Sequence, residues 1–378
     1  MEDKKQKSAK EKFEHYWDIL FIILEVFTLI GFVYLLIGIE PLRKDLIEKN
    51  KSYNFPKYSD LYQLIYIVIA IAIFRYIIIQ IFSFVGKKIM GKKYSDPSRP
   101  EDFAMGKILP NKIGIHFYKM IFYLLVTIFG YIEMKDLNYF PPSCFGKGEM
   151  KNMFLPGYPN SCYHEKPKYF DLFYLFCFGY YLCDFICLLI SKDKSNEFIL
   201  MILHHTCTSG LILLSYLSNF TNIGSLILFI QCVSDIPNHL TKILLRTDIP
   251  YIFIVPVGVS FVFTYWYYRI FVHCQILYTI YHYATWKWTY IETFLTAFLF
   301  VLLVMQIYWS SIMLFILIKM CVTRKKVMDN VEYKDSIKRN MDELAKQKQI
   351  KKNTSYRKNN NTYNAGAYIT GCCQCKCY

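Results

Sequence analysis

Phe198-Ile-Leu-Met-Ile-Leu-His-His-Thr-Cys-Thr-Ser-Gly-Leu-Ile-Leu-Leu-Ser-Tyr216 is the stretch that decides the fold class of this chain. As a helix it is long enough to cross the ~30 Å hydrocarbon core of a bilayer. A soluble helix would turn a polar face outward every 3.6 residues, and this one does not. Its costly members are His204 and His205, two adjacent imidazoles in hydrocarbon, and such groups mark function.

Working outward, the same reading finds eight apolar runs: 17–39, 61–84, 115–134, 169–191, 197–217, 223–245, 251–283 and 291–320. The expected fold is an all-α, polytopic transmembrane helical bundle of about eight spans with a disordered C-terminal tail. The seventh run is too long for one straight span and is expected to tilt or to extend past the bilayer. The first run is ~23 residues, longer than a signal-peptide core of about 7–15, and no small-residue cleavage site follows it, so it reads as a retained helix.

The composition supports a membrane class: 54% of the 378 residues are hydrophobic and 18% aromatic, too apolar for a soluble enzyme of this length. The formal charge of +15 sits outside the apolar runs, where it reports topology and contact with anionic membrane lipid rather than nucleic acid. No basic-aromatic module of the kind that binds nucleic acid is visible. Lysines before residue 13, and Lys and Arg in the loop 85–114 and at 324–326, put both termini on one side, taken as cytosolic. Residues 1–16 then form a cytosolic N-terminus, 17–104 two spans and a basic loop, 105–320 a six-span domain, and 321–378 a basic tail rich in Lys and Asn.

The 13 cysteines fall into three groups. Cys144 and Cys162 lie in the loop 135–168 on the opposite, oxidising side, where they are a candidate disulfide or two free thiols. Those within the apolar runs are small packing residues. Cys372, Cys373, Cys375 and Cys377 end the chain and are candidates for S-acylation, with metal binding as the alternative. Asn219-Phe-Thr221 matches a glycosylation sequon but lies in a short turn too near the bilayer to be used.

The short turn Ser218–Asn222 makes spans five and six antiparallel neighbours. His205 is 15 residues before Phe220 and Asp235 is 15 after it, so both lie ~22 Å from the turn at one depth. Gln231, Asp235, His239 and Lys242 share one face of span six, while His204–Thr208 and His205–Ser209 are i,i+4 pairs on span five. Adjacent histidines point about 100° apart and cannot both face one partner. Proton transfer and acyl transfer fit these groups. Two adjacent imidazoles in a low dielectric resist double protonation, leaving a neutral one as base or nucleophile. A carboxylate at the same depth can orient it and stabilise the imidazolium. The bland alternative is hydrogen-bonded glue between helices, strongest for Thr208, Ser209 and Gln231. Arg269 can bind an anion or pair with an acid, and Glu25 can pair with Arg75. Membrane di-iron sites need several His boxes that eight histidines here do not form, so no metal site is expected.

At these residues the chain resembles the TLC-domain family, and within it the ceramide synthases. The resemblance runs from Glu197-Phe198 through His204-His205, Thr208, Ser215-Tyr216, Asn219, Gly224, Leu226 and Asp235 to Lys242. Thr264–Gln275, with Arg269, and Leu303–Ser310, with Gln306 and Trp309, resemble the family's last two spans. The similarity covers roughly residues 105–320. It implies a multi-pass endoplasmic-reticulum N-acyltransferase that moves a fatty acyl group from acyl-CoA, as co-substrate with no further cofactor, onto the amine of a sphingoid base. It implies His204, His205 and Asp235 as catalytic residues; beside them Thr208, Gln231, His239, Arg269 and Trp309 are candidate substrate-binding residues. A homo- or heterodimer is compatible with it. The chain departs from the family at Gln231-Cys232, where a His-Asp dipeptide is usual, and at Asn222, where Arg is usual. A non-catalytic TLC-domain protein that binds or moves lipid, or handles membrane cargo, is the alternative.

Overall fold

The computed structural model describes residues 23, 26, 29–41, 43–44, 47–48, 56–90, 92–154, 166–191, 198–284, 290–324, 341–342 and 345–346. Among the described residues eight helices carry the fold. They are α1 (Leu29–Pro41), α2 (Tyr62–Ile89), α3 (Pro100–Met134), α4 (Phe170–Ile190), α5 (Phe198–Leu217), α6 (Thr221–Leu245), α7 (Tyr251–Tyr283) and α8 (Tyr290–Thr323). Among the described residues there is no β-strand, only an isolated bridge between Met90 and Thr247. Helices α2 to α8 are long and apolar enough to cross a membrane. The protein is therefore an all-α, multi-pass helical architecture. The first expected span, 17–39, falls largely outside the described residues. So do Glu25, Cys162 and the tail with Cys372, Cys373, Cys375 and Cys377.

The segment 85–114, a basic loop by its sequence, is shorter than expected: α2 runs to Ile89 and α3 begins at Pro100. Pro100 suits the first helical position, and Glu101 and Asp102 in the first turn complement the helix dipole. Lys107 and Lys112 broke the apolar run without breaking the helix, because a helix continues where its environment turns polar. The long seventh span is one continuous helical stretch whose Trp266–Val272 segment adopts π geometry.

The outward faces are apolar. On α2, Ile65, Ile69, Ile73, Ile77 and Ile81 form an exposed i,i+4 stripe, while Leu64 and Ile71 are buried on the other side. That is the inverse of a soluble amphipathic helix, and hydrocarbon is the solvent that permits it. The interior is aromatic: Phe122 stacks on Tyr180 at 3.9 Å, and Tyr118, Tyr174, Tyr180 and Tyr216 are each almost fully buried. Phe32 of α1 stacks on Phe298 of α8 at 4.9 Å.

The α5–α6 turn is tight. Asn219 takes φ 63°, a left-handed conformation that asparagine tolerates better than most residues. Asn219 is also buried, its Oδ1 accepting from Lys166 at 3.4 Å, so the sequon faces protein. Just past the turn, the hydrogen-bonded hydroxyls of Tyr174 and Ser215 fill the space beside Gly224. A Cβ there would land on the tyrosine oxygen, which explains a glycine in this motif. Beyond α3 the chain at 138–154 is folded by its own backbone bonds, including Gly148 N–H to Phe140 O at 2.8 Å and Glu149 N–H to Asn138 O at 2.9 Å. It buries Tyr139, Phe140, Cys144 and Met153, and the Tyr139 hydroxyl lies 3.1 Å from Ser225 Oγ on α6.

By internal contacts the chain divides into two units, 1–90 with 109–328, and 91–108 with 329–378. Every side chain of the site described next belongs to the first.

Candidate active site

Helix α5 presents His204 and His205 to two different neighbours, as adjacent positions on a helix must. Their ring centroids are 5.5 Å apart and their planes 65° apart. His204 meets Trp309 of α8 edge to face, at 5.2 Å and 86°. His205 stacks on Phe185 of α4 at 5.9 Å and points Nε2 at Asp184 Oδ2, 3.8 Å away. That separation is an ion-pair distance and too long for a hydrogen bond. Nδ1 of both histidines, Thr208 Oγ1 and Ser209 Oγ are buried without a hydrogen-bond partner among the described residues.

Asp184 is the centre of the arrangement. Its Oδ1 accepts from Arg75 Nη1 of α2 at 2.9 Å and its Oδ2 from Lys119 Nζ of α3 at 2.8 Å. Four helices thus converge on one buried carboxylate: α2, α3, α4 and α5. Arg75 also lies over the Tyr118 ring, 5.4 Å from its centroid. A buried charge is tolerated only when paired and hydrogen-bonded. Two cations on one carboxylate meet that condition and hold the carboxylate's orientation toward His205.

Asp235, expected to orient the histidines, is engaged elsewhere. Its Oδ2 accepts from Arg269 Nη2 at 2.6 Å and its Oδ1 from Asn238 Nδ2 at 3.4 Å. Arg269 is tied further to α6: Nε donates to Ser234 Oγ at 2.5 Å and Nη2 also to the Gln231 carbonyl at 3.0 Å, and the guanidinium lies over Tyr265 at 5.1 Å. Arg269 lies in the π segment of α7, and π segments often sit at functional sites. Equal depth of His205 and Asp235 along the α5–α6 hairpin did not make them face each other, because azimuth around each helix decides that.

His239, on the same α6 face, does not reach the α5 histidines either. Its Nδ1 lies 3.1 Å from Nδ1 of His116 on α3, with the rings stacked at 5.3 Å. Tyr123 stacks on its other side at 5.6 Å and 5°. Gln231 is buried and offers its carbonyl to Arg269. Cys232 is 1% exposed and its thiol lies within hydrogen-bond reach of Cys177 on α4. Cys232 therefore packs between helices, and the Gln231-Cys232 pair holds no carboxylate. Among the described residues no three His, Cys, Asp or Glu side chains converge as metal ligands would. Cys144 is buried with a free thiol, and its expected partner lies outside the described residues.

The residues that sequence reading missed are Asp184, Lys119 and His116. A signal for Asp184 existed. Counted from residue 194, the middle of the α4–α5 connection, Asp184 is ten residues before and His205 eleven after, so the two lie at one depth. A carboxylate within an apolar run also carries the same cost that singled out the histidines.

The arrangement can bind a neutral or anionic group beside two imidazoles, and it can move a proton with a carboxylate behind the base. The profile of the TLC domain matches residues 112–314, more than half of the 378-residue chain, and that match spans Lys119, Asp184, both α5 histidines, Asp235, Arg269 and Trp309. No curated protein matches the chain. The chain therefore belongs to the TLC-domain family.

Proposed function

We propose that this protein is an N-acyltransferase of ceramide-synthase type, transferring a fatty acyl group from acyl-CoA to the amine of a sphingoid base in the endoplasmic-reticulum membrane. The observation that carries the proposal is His205 backed by Asp184, itself clamped by Arg75 and Lys119, beside a second buried histidine with an unpartnered Nδ1. In the reaction the amine nitrogen attacks the thioester carbonyl while His205 takes its proton. The carbon–sulfur bond breaks and the coenzyme A thiolate leaves, receiving that proton. Asp184 stabilises the transient imidazolium, as the carboxylate of a catalytic triad does. His204, packed edge-on to Trp309, meets the acyl carbonyl. Asp235 acts through Arg269, holding α6 to the π segment of α7.

The test is amide formation by purified protein from long-chain acyl-CoA and dihydrosphingosine, read by mass spectrometry. Product from wild type and none from the double variant His204→Ala, His205→Ala is the expected result. Equal product from both sinks the proposal.

The family includes members without catalysis, and one observation favours that second reading. Cys232, buried against Cys177, cannot supply the carboxylate usual at its position. A sterol or phospholipid copurifying in place of acyl-CoA or ceramide, with no amide formed, would establish a lipid-binding or cargo-handling protein instead.

A further inference from the structure

The folded segment at 138–154 carries a backbone outlier. Phe145 takes φ 66°, in the left-handed region, where a bulky side chain is disfavoured. It ends the short helical turn Pro142–Cys144, at the place where helices commonly have glycine. Backbone bonds fix this conformation. The N–H groups of Cys144 and Gly146 donate to the Pro141 carbonyl at 2.9 Å, and that of Phe145 donates to the Pro142 carbonyl at 3.0 Å. The Phe145 ring is 70% exposed, while Phe140 and Cys144 beside it are fully buried. One large apolar ring is thus held outward on a fixed base, at a cost in backbone strain.

Two hydrogen bonds set the depth of that ring. The Tyr267 hydroxyl of α7 donates to the Ser143 carbonyl at 3.3 Å, and the Tyr131 hydroxyl of α3 donates to the Phe145 carbonyl at 3.4 Å. Tyr131 comes three residues before Met134, where α3 ends, so it lies about 5 Å inside that end. Tyr267 comes 16 residues after Tyr251, the opposite end of α7, a rise of about 24 Å against a hydrocarbon core of about 30 Å. Both counts put Phe145 near one edge of the core, the edge away from the α2–α3 connection. The surfaces flanking it face lipid. Ile128 and Ile132 of α3 are exposed, and so are Tyr267 and Phe271 of α7, whose rings stack at 5.8 Å. Non-helical backbone at this depth needs its carbonyls satisfied, and the two tyrosines do that for Ser143 and Phe145.

We propose that the 138–154 segment is an interfacial anchor and that Phe145 is its membrane-inserting residue, with the ring in the layer between head groups and acyl chains. Aromatic side chains favour that layer. Taking the ring out of water offsets the strain of its backbone, whereas in water glycine would hold the same turn with less strain. Through Tyr267 the anchor joins the π segment of α7, two residues from the Arg269 that grips Asp235. The anchor thereby holds that part of α7 at a fixed depth in the leaflet. It needs a bilayer and no substrate, so it stands apart from the acyltransferase reading.

Full-length protein with photoreactive benzoylphenylalanine in place of Phe145, in phosphatidylcholine nanodiscs, tests the anchor. After irradiation, mass spectrometry should find a phosphatidylcholine adduct at position 145, in several-fold excess over the adduct formed when the same group replaces Glu149, which is exposed on the same segment. Lipid labelling at 145 no greater than at 149, or an adduct at 145 to another part of the chain in place of lipid, overturns the anchor. Should the bulkier group prevent folding, Phe145→Trp decides the question. Its fluorescence in excess of wild type should be quenched by phosphatidylcholine brominated near the head-group end of its chains and shielded from aqueous iodide. Quenching of that excess by iodide and not by the brominated lipid overturns the anchor equally.

Discussion

Asp184 shows how much one side chain decides here. It receives Arg75, Lys119 and His205 from three other helices while being 9% exposed. Its substitution should act on both chemistry and stability. Asp184→Asn is expected to lower kcat for amide formation by about 10²–10⁴-fold with little change in KM for acyl-CoA, as loss of a base's supporting carboxylate does. Asp184→Glu should recover part of that loss. The same Asn variant leaves two partly buried cations without a counter-charge, which should lower the melting temperature in detergent. A fall in stability with kcat intact would make Asp184 a structural clamp and no more. This residue was legible in the sequence by the same depth counting that singled out Asp235. Counting along the hairpin before the histidines finds it, and counting along the hairpin after them does not.

At the scale of elements, the π segment Trp266–Val272 and α6 behave as one unit. Arg269 makes its three bonds to α6, to Ser234, Gln231 and Asp235. Arg269→Gln leaves Asp235 buried and unpaired, with an expected cost of about 3–5 kcal/mol. Adding Asp235→Asn removes the stranded charge and should recover a measurable part of that loss in a double-mutant cycle on thermal stability. Strict additivity of the two substitutions would show that the pair does not couple α6 to α7. The element boundaries themselves were largely legible, because an apolar run in lipid has no alternative to a helix. The start of α3 was not, since it lies where polar residues no longer report burial.

For the whole molecule, the folded segment at 138–154 makes a prediction outside the helices. Burial pushes the Cys144 thiol up to about 12. Its thiolate therefore appears only as pH rises toward that value, and at pH 8 roughly one thiol in ten thousand is reactive. Folded protein should resist iodoacetamide at Cys144 at pH 8 and become labelled on unfolding. Prompt labelling of the folded protein would contradict the buried environment. Labelling on unfolding that requires a reductant would contradict the free thiol at Cys144.

The number and type of helices, the membrane class and the choice of His204 and His205 as candidates followed from the sequence alone. Each rests on local physics, the length of an apolar run and the cost of an imidazole in hydrocarbon. Which carboxylate serves which partner did not follow. Asp184 faces His205, Asp235 faces Arg269, and His239 faces His116, and each pairing joins residues from different helices. Spacing along a chain sets depth within the bilayer. The rotation of each helix about its axis, settled only when all of them pack together, sets which groups meet.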